Sequence, residues 1–190
     1  LRGVQHGAAA RIAAALPESD PEVAAGLVAS LHVDALDTGV AGLSGLLAVL
    51  LREPEWHGRM EDAAHREAAI EEALRLAPPA LLTVRQATRD VPFGGLTIEQ
   101  GAMILMWWAA GNVDPDVFDE PERFRPGRAK RGLPFGVGAH SCPGHVWVKM
   151  LAHTLVRLAF AGTRRLAPKT EVVWDIGGAR RPHGLVVVFD

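Results

Sequence analysis

The chain has 190 residues, of which 48% are hydrophobic and 22% charged, with a formal net charge of −2. That length suits one domain with a real core, and the composition argues against intrinsic disorder and against a polyanion-binding surface, so no nucleic-acid partner is expected. A single cysteine excludes an internal disulfide and makes the cytoplasm the expected compartment; with no CxxC pair and no HExxH helix among eight histidines, zinc is disfavoured.

The longest apolar run, residues 102–110, falls well short of the roughly 18 residues that a membrane span needs. No signal peptide is evident, and the chain opens on Leu1 instead of Met, which raises the expectation of a segment upstream.

After an alanine-rich opening, Ser19 and Glu22 stand at capping-box spacing, with Pro21 suited to a first helical turn. Apolar residues then recur at Leu36, Val40, Leu43, Leu47 and Leu50 in steps of four and three. This predicts one helix over about 21–52, roughly 48 Å long at its 1.5 Å rise per residue. Ala and Leu on several of its faces predict burial and a central position.

Pro54 opens a further helical stretch, broken near Gly58 or after Met60 and stopped by Pro78 and Pro79. Residues 81–108 then change texture to short strands around a Gly94-Gly95 turn, with another turn near Gly101. Residues 111–144 are dense in Pro, Gly and Asp and too long for an ordinary connection, the mark of a functional loop. An amphipathic helix follows, with Val146, Met150 or Leu151, Leu155 and Leu158 at helical spacing, and the chain ends in short strands. The expected class is mainly α with small β-sheets.

Within the long loop, "FGVGAHSCPG" at 135–144 holds the lone cysteine, Cys142, just ahead of a predicted helix. Unpaired N–H groups and the dipole at a helix start stabilise negative charge on sulfur. Gly136, Gly138 and Gly144 let backbone amides approach that sulfur, or something bound to it, without an intervening Cβ. Three readings compete: a buried structural cysteine, a Cys/His nucleophile pair with His140, and a soft axial ligand to haem iron. The decapeptide alone leaves all three open.

Taken with its neighbours, the decapeptide resembles the haem-ligand loop of the cytochrome P450 family, FxxGx(H/R)xCxG, with Phe135, Gly138, His140, Cys142 and Gly144 filling every position. "EALR" from Glu72 to Arg75 resembles the family's ExxR helix. "PERF" at 121–124 resembles its meander, with Arg123 completing a Glu-Arg-Arg cluster. On the long helix, "DALDTG" at 34–39 resembles the oxygen-activation motif (A/G)Gx(D/E)T, although Asp34 and Ala35 stand where a small residue and Gly are usual. Asp37 and Thr38 are then the acid and alcohol, and Thr38 is expected to bond back to a helix carbonyl and widen the helix locally. These landmarks fall in the family's order.

The resemblance runs from about Ser19 to the carboxyl terminus. It implies the carboxyl-terminal portion of a P450-like fold: long central helix, ExxR helix, meander and Cys-ligand loop. Family members are about twice as long, so residues 1–190 are expected to form part of one domain whose amino-terminal half is absent from this chain. A missing segment or a second chain would complete it.

The implied function is a haem-thiolate monooxygenase carrying haem b, with Cys142 as the iron ligand. Arg85 and His140 match positions that bind haem propionates, and Phe135, Gly136 and Gly144 frame the cofactor. Val33, Asp34, Ala80, Leu81, Leu82 and Thr83 match regions that line the pocket for a small, apolar substrate. Electrons would come from a ferredoxin- or flavodoxin-type partner docking on the Cys side, against a basic face of Arg128, Lys130, Arg131 and Lys149. Two rivals are a non-catalytic relative, either a module that binds a partner protein or a degenerate fragment, and a Cys/His hydrolase without haem.

Overall fold

The computed structural model of the chain describes residues 8–15, 21–160 and 166–189. In chain order these form α1 (Ala8–Ala15), α2 (Pro21–Leu50), α3 (Pro54–His57), α4 (Ala63–Leu76), β1 (Thr83–Gln86), β2 (Val91–Phe93), β3 (Leu96–Ile98) and β4 (Met103–Met106). There follow α5 (Trp108–Asn112), a 3-10 turn (Gly138–His140), α6 (His145–Ala159), β5 (Leu166–Pro168), β6 (Val173–Asp175), β7 (Arg181–His183) and β8 (Val187–Phe189). The class is the expected one, mainly α with small sheets. Two compact units are distinguished, residues 1–39 and residues 40–190.

Helix α2 begins at Pro21 as the sequence indicates; the capping residue Ser19 lies outside the described residues. Its predicted burial holds mainly toward its carboxyl end, although Ala24 near its start is buried as well. Ala41, Leu46, Ala48 and Leu50 are buried, whereas Val33 is 67% exposed and Leu36 68%. An apolar face marks a surface able to be buried, but burial itself needs another element laid against it. By length and hydropathy alone, Glu22–Leu50 would also pass as a membrane span, a test that a long core helix passes equally.

In the second unit, the end of α2 joins α4 and α6 around a core of Leu46, Leu50, Met60, Ile70, Leu74 and Val156. Helix α4 starts where Asp62 accepts a hydrogen bond from the His65 amide at 2.9 Å, and it stops before the Pro78-Pro79 pair. Gly45 on α2 lets that helix approach the segment after α4 closely: a Cβ there would lie 3.4 Å from that of Ala77.

Helix α6 turns a different face inward from the one its large apolar residues mark. Ala152 and Val156 are buried, while Val146, Met150, Leu151 and Leu158 are exposed together with Trp147. Small side chains allow close approach to α4, and an ion-pair seam reinforces it: Lys149 Nζ reaches Glu67 at 2.9 Å and Glu71 at 2.8 Å, and His153 pairs with Glu67.

The strands form four antiparallel pairs, β1 with β4, β2 with β3, β5 with β8 and β6 with β7. Gly94 and Gly95 both have positive φ, 56° and 81°, as a two-residue hairpin turn between twisted strands requires. Helix α5 was not anticipated; its Trp-rich start reads as a continuation of the β4 strand. From Val113 to Val137 the chain runs without helix or strand.

Candidate functional site

The long loop is held from beneath by a buried charge cluster. On α4, Arg75 donates from Nε and Nη2 to the two oxygens of Glu72, each at 2.8 Å, and the two residues are 1% and 4% exposed. Arg75 also donates to the carbonyls of Asn112 and Pro121, so one guanidinium pins two parts of the loop. Its Cζ lies 4.9 Å from the Phe118 ring centroid. Such a pair is tolerated only because nearly all its polar atoms are satisfied.

The third member differs from the expected one. Arg123 lies 69% exposed and pairs with Glu120; its backbone carbonyl, not its guanidinium, meets the cluster. Arg128 takes the place instead, donating from Nε to Glu72 Oε1 at 2.9 Å and from its other nitrogens to the carbonyls of Asp119, Glu120 and Arg123. The loop bends so that its later arginine turns inward while the earlier one points to solvent. Burial pushes the Glu72 carboxyl up, but hydrogen bonds from Arg75, Arg128 and the Arg125 amide outweigh it and hold the group below the ordinary carboxylate range.

The loop then reaches Cys142. Gly136 and Gly138 have φ of 64° and 75°, a region that side-chain-bearing residues avoid, and a Cβ on Gly136 would lie 3.7 Å from Trp108. The Cys142 amide donates to Phe135 O at 2.8 Å, closing the loop on itself, and Phe135 packs against the main core. Gly144 precedes α6 and sits beside the sulfur: a Cβ there would be 3.6 Å from Cys142 Sγ.

Neither neighbouring histidine activates the thiol. His140 is exposed at the end of the 3-10 turn, and His145 Nδ1 donates to the Cys142 carbonyl at 3.0 Å, not to sulfur. A nucleophile pair needs the base on the sulfur itself, so among the described residues the Cys/His hydrolase reading finds no such geometry. The half-buried thiol at the start of α6, in a loop opened by three glycines, fits the soft single ligand of a haem iron.

A cavity of about 320 Å³ adjoins the loop, lined among others by Cys142, Phe135, Arg75, Lys130, Arg131 and Lys149. Of the four residues expected to form a basic face, Lys130 and Arg131 are exposed. Arg128 and Lys149 are committed elsewhere, to Glu72 and to Glu67 with Glu71. Charges already paired within the fold project less toward a partner.

The remaining expected residues are spread over other elements. Arg85 is half-buried on β1, with Nη1 donating to Val84 O at 2.8 Å. Ala80 and Leu81 are half-buried, Leu82 is more exposed, and the Thr83 hydroxyl accepts from Trp108 Nε1 at 3.0 Å. Val33, Asp34, Asp37 and Thr38 belong to the first unit, where Thr38 Oγ1 donates back to Asp34 O as expected.

A mainly helical chain with small hairpins, a lone thiol presented before a helix, and a buried Glu-Arg-Arg lattice under its loop together fit the class that the resemblance to the cytochrome P450 family implies. The sequence model of the family described as Cytochrome P450 matches residues 59–161, and the chain belongs to that family. It is 36% identical to Cytochrome p450 CYP199A2 of Rhodopseudomonas palustris over 135 residues, 70% of this chain and 33% of that protein. Cytochrome P450 NovI of Streptomyces niveus is 30% identical over 178 residues, 91% of this chain and 43% of that one. Among solved structures, Mycobacterium smegmatis CYP164A2 superposes with a TM-score of 0.86 at 26% identity, covering 98% of this chain and 49% of its own. The chain therefore spans between a third and a half of the length of these relatives.

Proposed function

We propose that this chain is the carboxyl-terminal, thiolate-bearing part of a P450 domain that uses dioxygen to oxidise a small, apolar organic substrate. The observation that carries the reading is Cys142, held before α6 by a glycine loop whose base is locked by Glu72, Arg75 and Arg128. Haem b, when bound to the Cys142 thiolate, would supply the oxidation chemistry.

The chain's own residues would hold the cofactor and manage protons. Cys142 would supply the thiolate ligand, Arg85 and His140 the charge-assisted bonds to the propionates, and Phe135, Gly136 and Gly144 the close-fitting surface. Asp37 and Thr38 deliver protons, a reading supported by the motif and by the back-bond from Thr38 to Asp34 O. Val33, Asp34 and residues 80–83 border the substrate.

Electrons come from a ferredoxin- or flavodoxin-type protein docking near Lys130 and Arg131, the two cations of the expected basic face that remain exposed beside the Cys142 cavity. The compartment is the cytoplasm. A missing segment or second chain completes the domain, a reading supported by the share of the relatives' length that this chain spans.

The deciding experiment is the reduced carbon-monoxide difference spectrum of the haem-reconstituted protein, together with its intact mass. A thiolate band that vanishes in Cys142→Ala supports the reading; a band unchanged in that variant removes Cys142 as the ligand. Failure to take up haem at all would favour the second reading, a non-catalytic relative that binds a partner, to which the exposed apolar face of α6 also speaks.

A further inference from the structure

Asn112, the last residue of α5, is completely buried. Its backbone carbonyl accepts from Arg75 Nη1, and its side-chain Oδ1 accepts from the Leu133 amide. Leu133 O in turn accepts from Gly136 N at 3.1 Å, and Phe135 O accepts from Cys142 N at 2.8 Å. A continuous set of short links thus runs from the Glu72-Arg75 pair through Asn112 into the segment that carries the cysteine.

Two further features locate the function of this side chain. Asn112 Nδ2 is buried with no hydrogen-bond partner among the described residues. A buried donor left unpaired is costly, and an apolar residue of similar size would avoid that cost, so what favours an amide here is the bond that Oδ1 accepts from the Leu133 amide. Gly132 adds the second feature: a Cβ on it would fall 2.6 Å from Arg75 Cγ and 3.0 Å from Asn112 Oδ1. The chain entering the loop is threaded against Arg75 and Asn112 with no room for a side chain.

We propose that Asn112 is a positioning residue for the Cys142 loop, setting the course of the segment that presents the thiolate. As it concerns the ligand's geometry, the proposal rests on the haem-thiolate reading above. Asn112 touches neither substrate nor cofactor; it acts through Leu133.

The test compares Asn112→Ala with Asn112→Asp, which keeps the acceptor oxygen, and with Ile70→Ala, a buried core change that donates no bond to the loop. Two quantities are read at temperatures where circular dichroism shows each variant folded: hydrogen exchange at the Leu133 amide, and the share of reduced carbon-monoxide absorbance in the thiolate band. Asn112→Ala should speed Leu133 exchange about tenfold and lower the thiolate share, because the lost bond frees the loop locally. Asn112→Asp should restore both, and Gly132→Ala should reproduce the loss by pushing the segment outward. If Asn112→Asp does not fold, Asn112→Ala against Ile70→Ala still decides. Equal changes in these two, compared at temperatures equally far below each variant's thermal midpoint, would overturn the proposal and leave Asn112 as ordinary core. A wild-type protein with no thiolate band would defeat the haem reading alone; the exchange of Leu133 would still decide what Asn112 does.

Discussion

Arg128 Nε lies 2.9 Å from Glu72 Oε1, joining residues 56 positions apart, while Arg123 points into solvent. The carboxylate is shared between a helix neighbour, Arg75, and an arginine delivered by the loop, so helix α4 and the loop fold as one object.

Arg128→Ala should therefore be far more damaging than Arg123→Ala. Removing one partner from a buried ionic cluster costs about 3 kcal/mol, since the remaining charge loses compensation. Arg123, exposed and paired with an exposed Glu120, should leave stability nearly unchanged. Guanidinium unfolding midpoints for the two variants check this; equal shifts would return Arg123 to the cluster.

Glu53 gives a pH dependence of known sign. Burial, then the neighbouring Glu55, raise its carboxyl from 4.5 to about 6. The folded state therefore holds this proton more tightly than the unfolded state, and the favourable contribution is complete below 4.5 and lost as pH rises through 6. Glu53→Gln should stabilise the protein above that range by less than about 1 kcal/mol, because the group is largely solvated and its charge screened, and should have little effect at lower pH. Urea midpoints measured across the range decide it; a gain that persists in acid would contradict the assignment.

The outer face of α6 predicts self-association of this 190-residue chain. Val146, Trp147, Met150, Leu151 and Leu158 form one exposed apolar surface, with Trp147 67% exposed. Sedimentation velocity should show weight-average mass rising with concentration. The double variant Trp147→Gln, Leu151→Gln should suppress that rise without lowering the thermal midpoint, since neither side chain is in the core. No change in association would mean that the surface is inert.

Thr38→Ala tests the proposed proton delivery. In the completed, haem-loaded protein, reductant consumption should continue while product per electron falls several-fold, as protons are no longer supplied in step. Electron counting against product measures this, and full coupling in the variant would remove Thr38 from the relay.

Much of this was legible in the sequence because it depends on local chemistry. Pro54, Gly58 and the Pro78-Pro79 pair bound helices α3 and α4 closely, and Gly94-Gly95 gives the β2–β3 hairpin, because each acts on the φ and ψ of its own neighbourhood. The spacing of Glu72 and Arg75 likewise puts them on one helix face. What was not legible depended on partners far along the chain: which arginine of the meander turns inward, which face of α6 meets α4, and the role of Asn112.

The sequence by itself determined the family, the lone thiol before α6 and the order of the elements, since periodicity, turn residues and spaced motifs are written in consecutive positions. Only the tertiary structure decided that Arg128 and not Arg123 completes the cluster, that Lys149 is bound to α4, and that α2 is buried mainly toward its end. The physical reason is that a side chain's charge and apolar surface are fixed by its type, whereas its desolvation and pairing depend on which distant groups the fold lays against it.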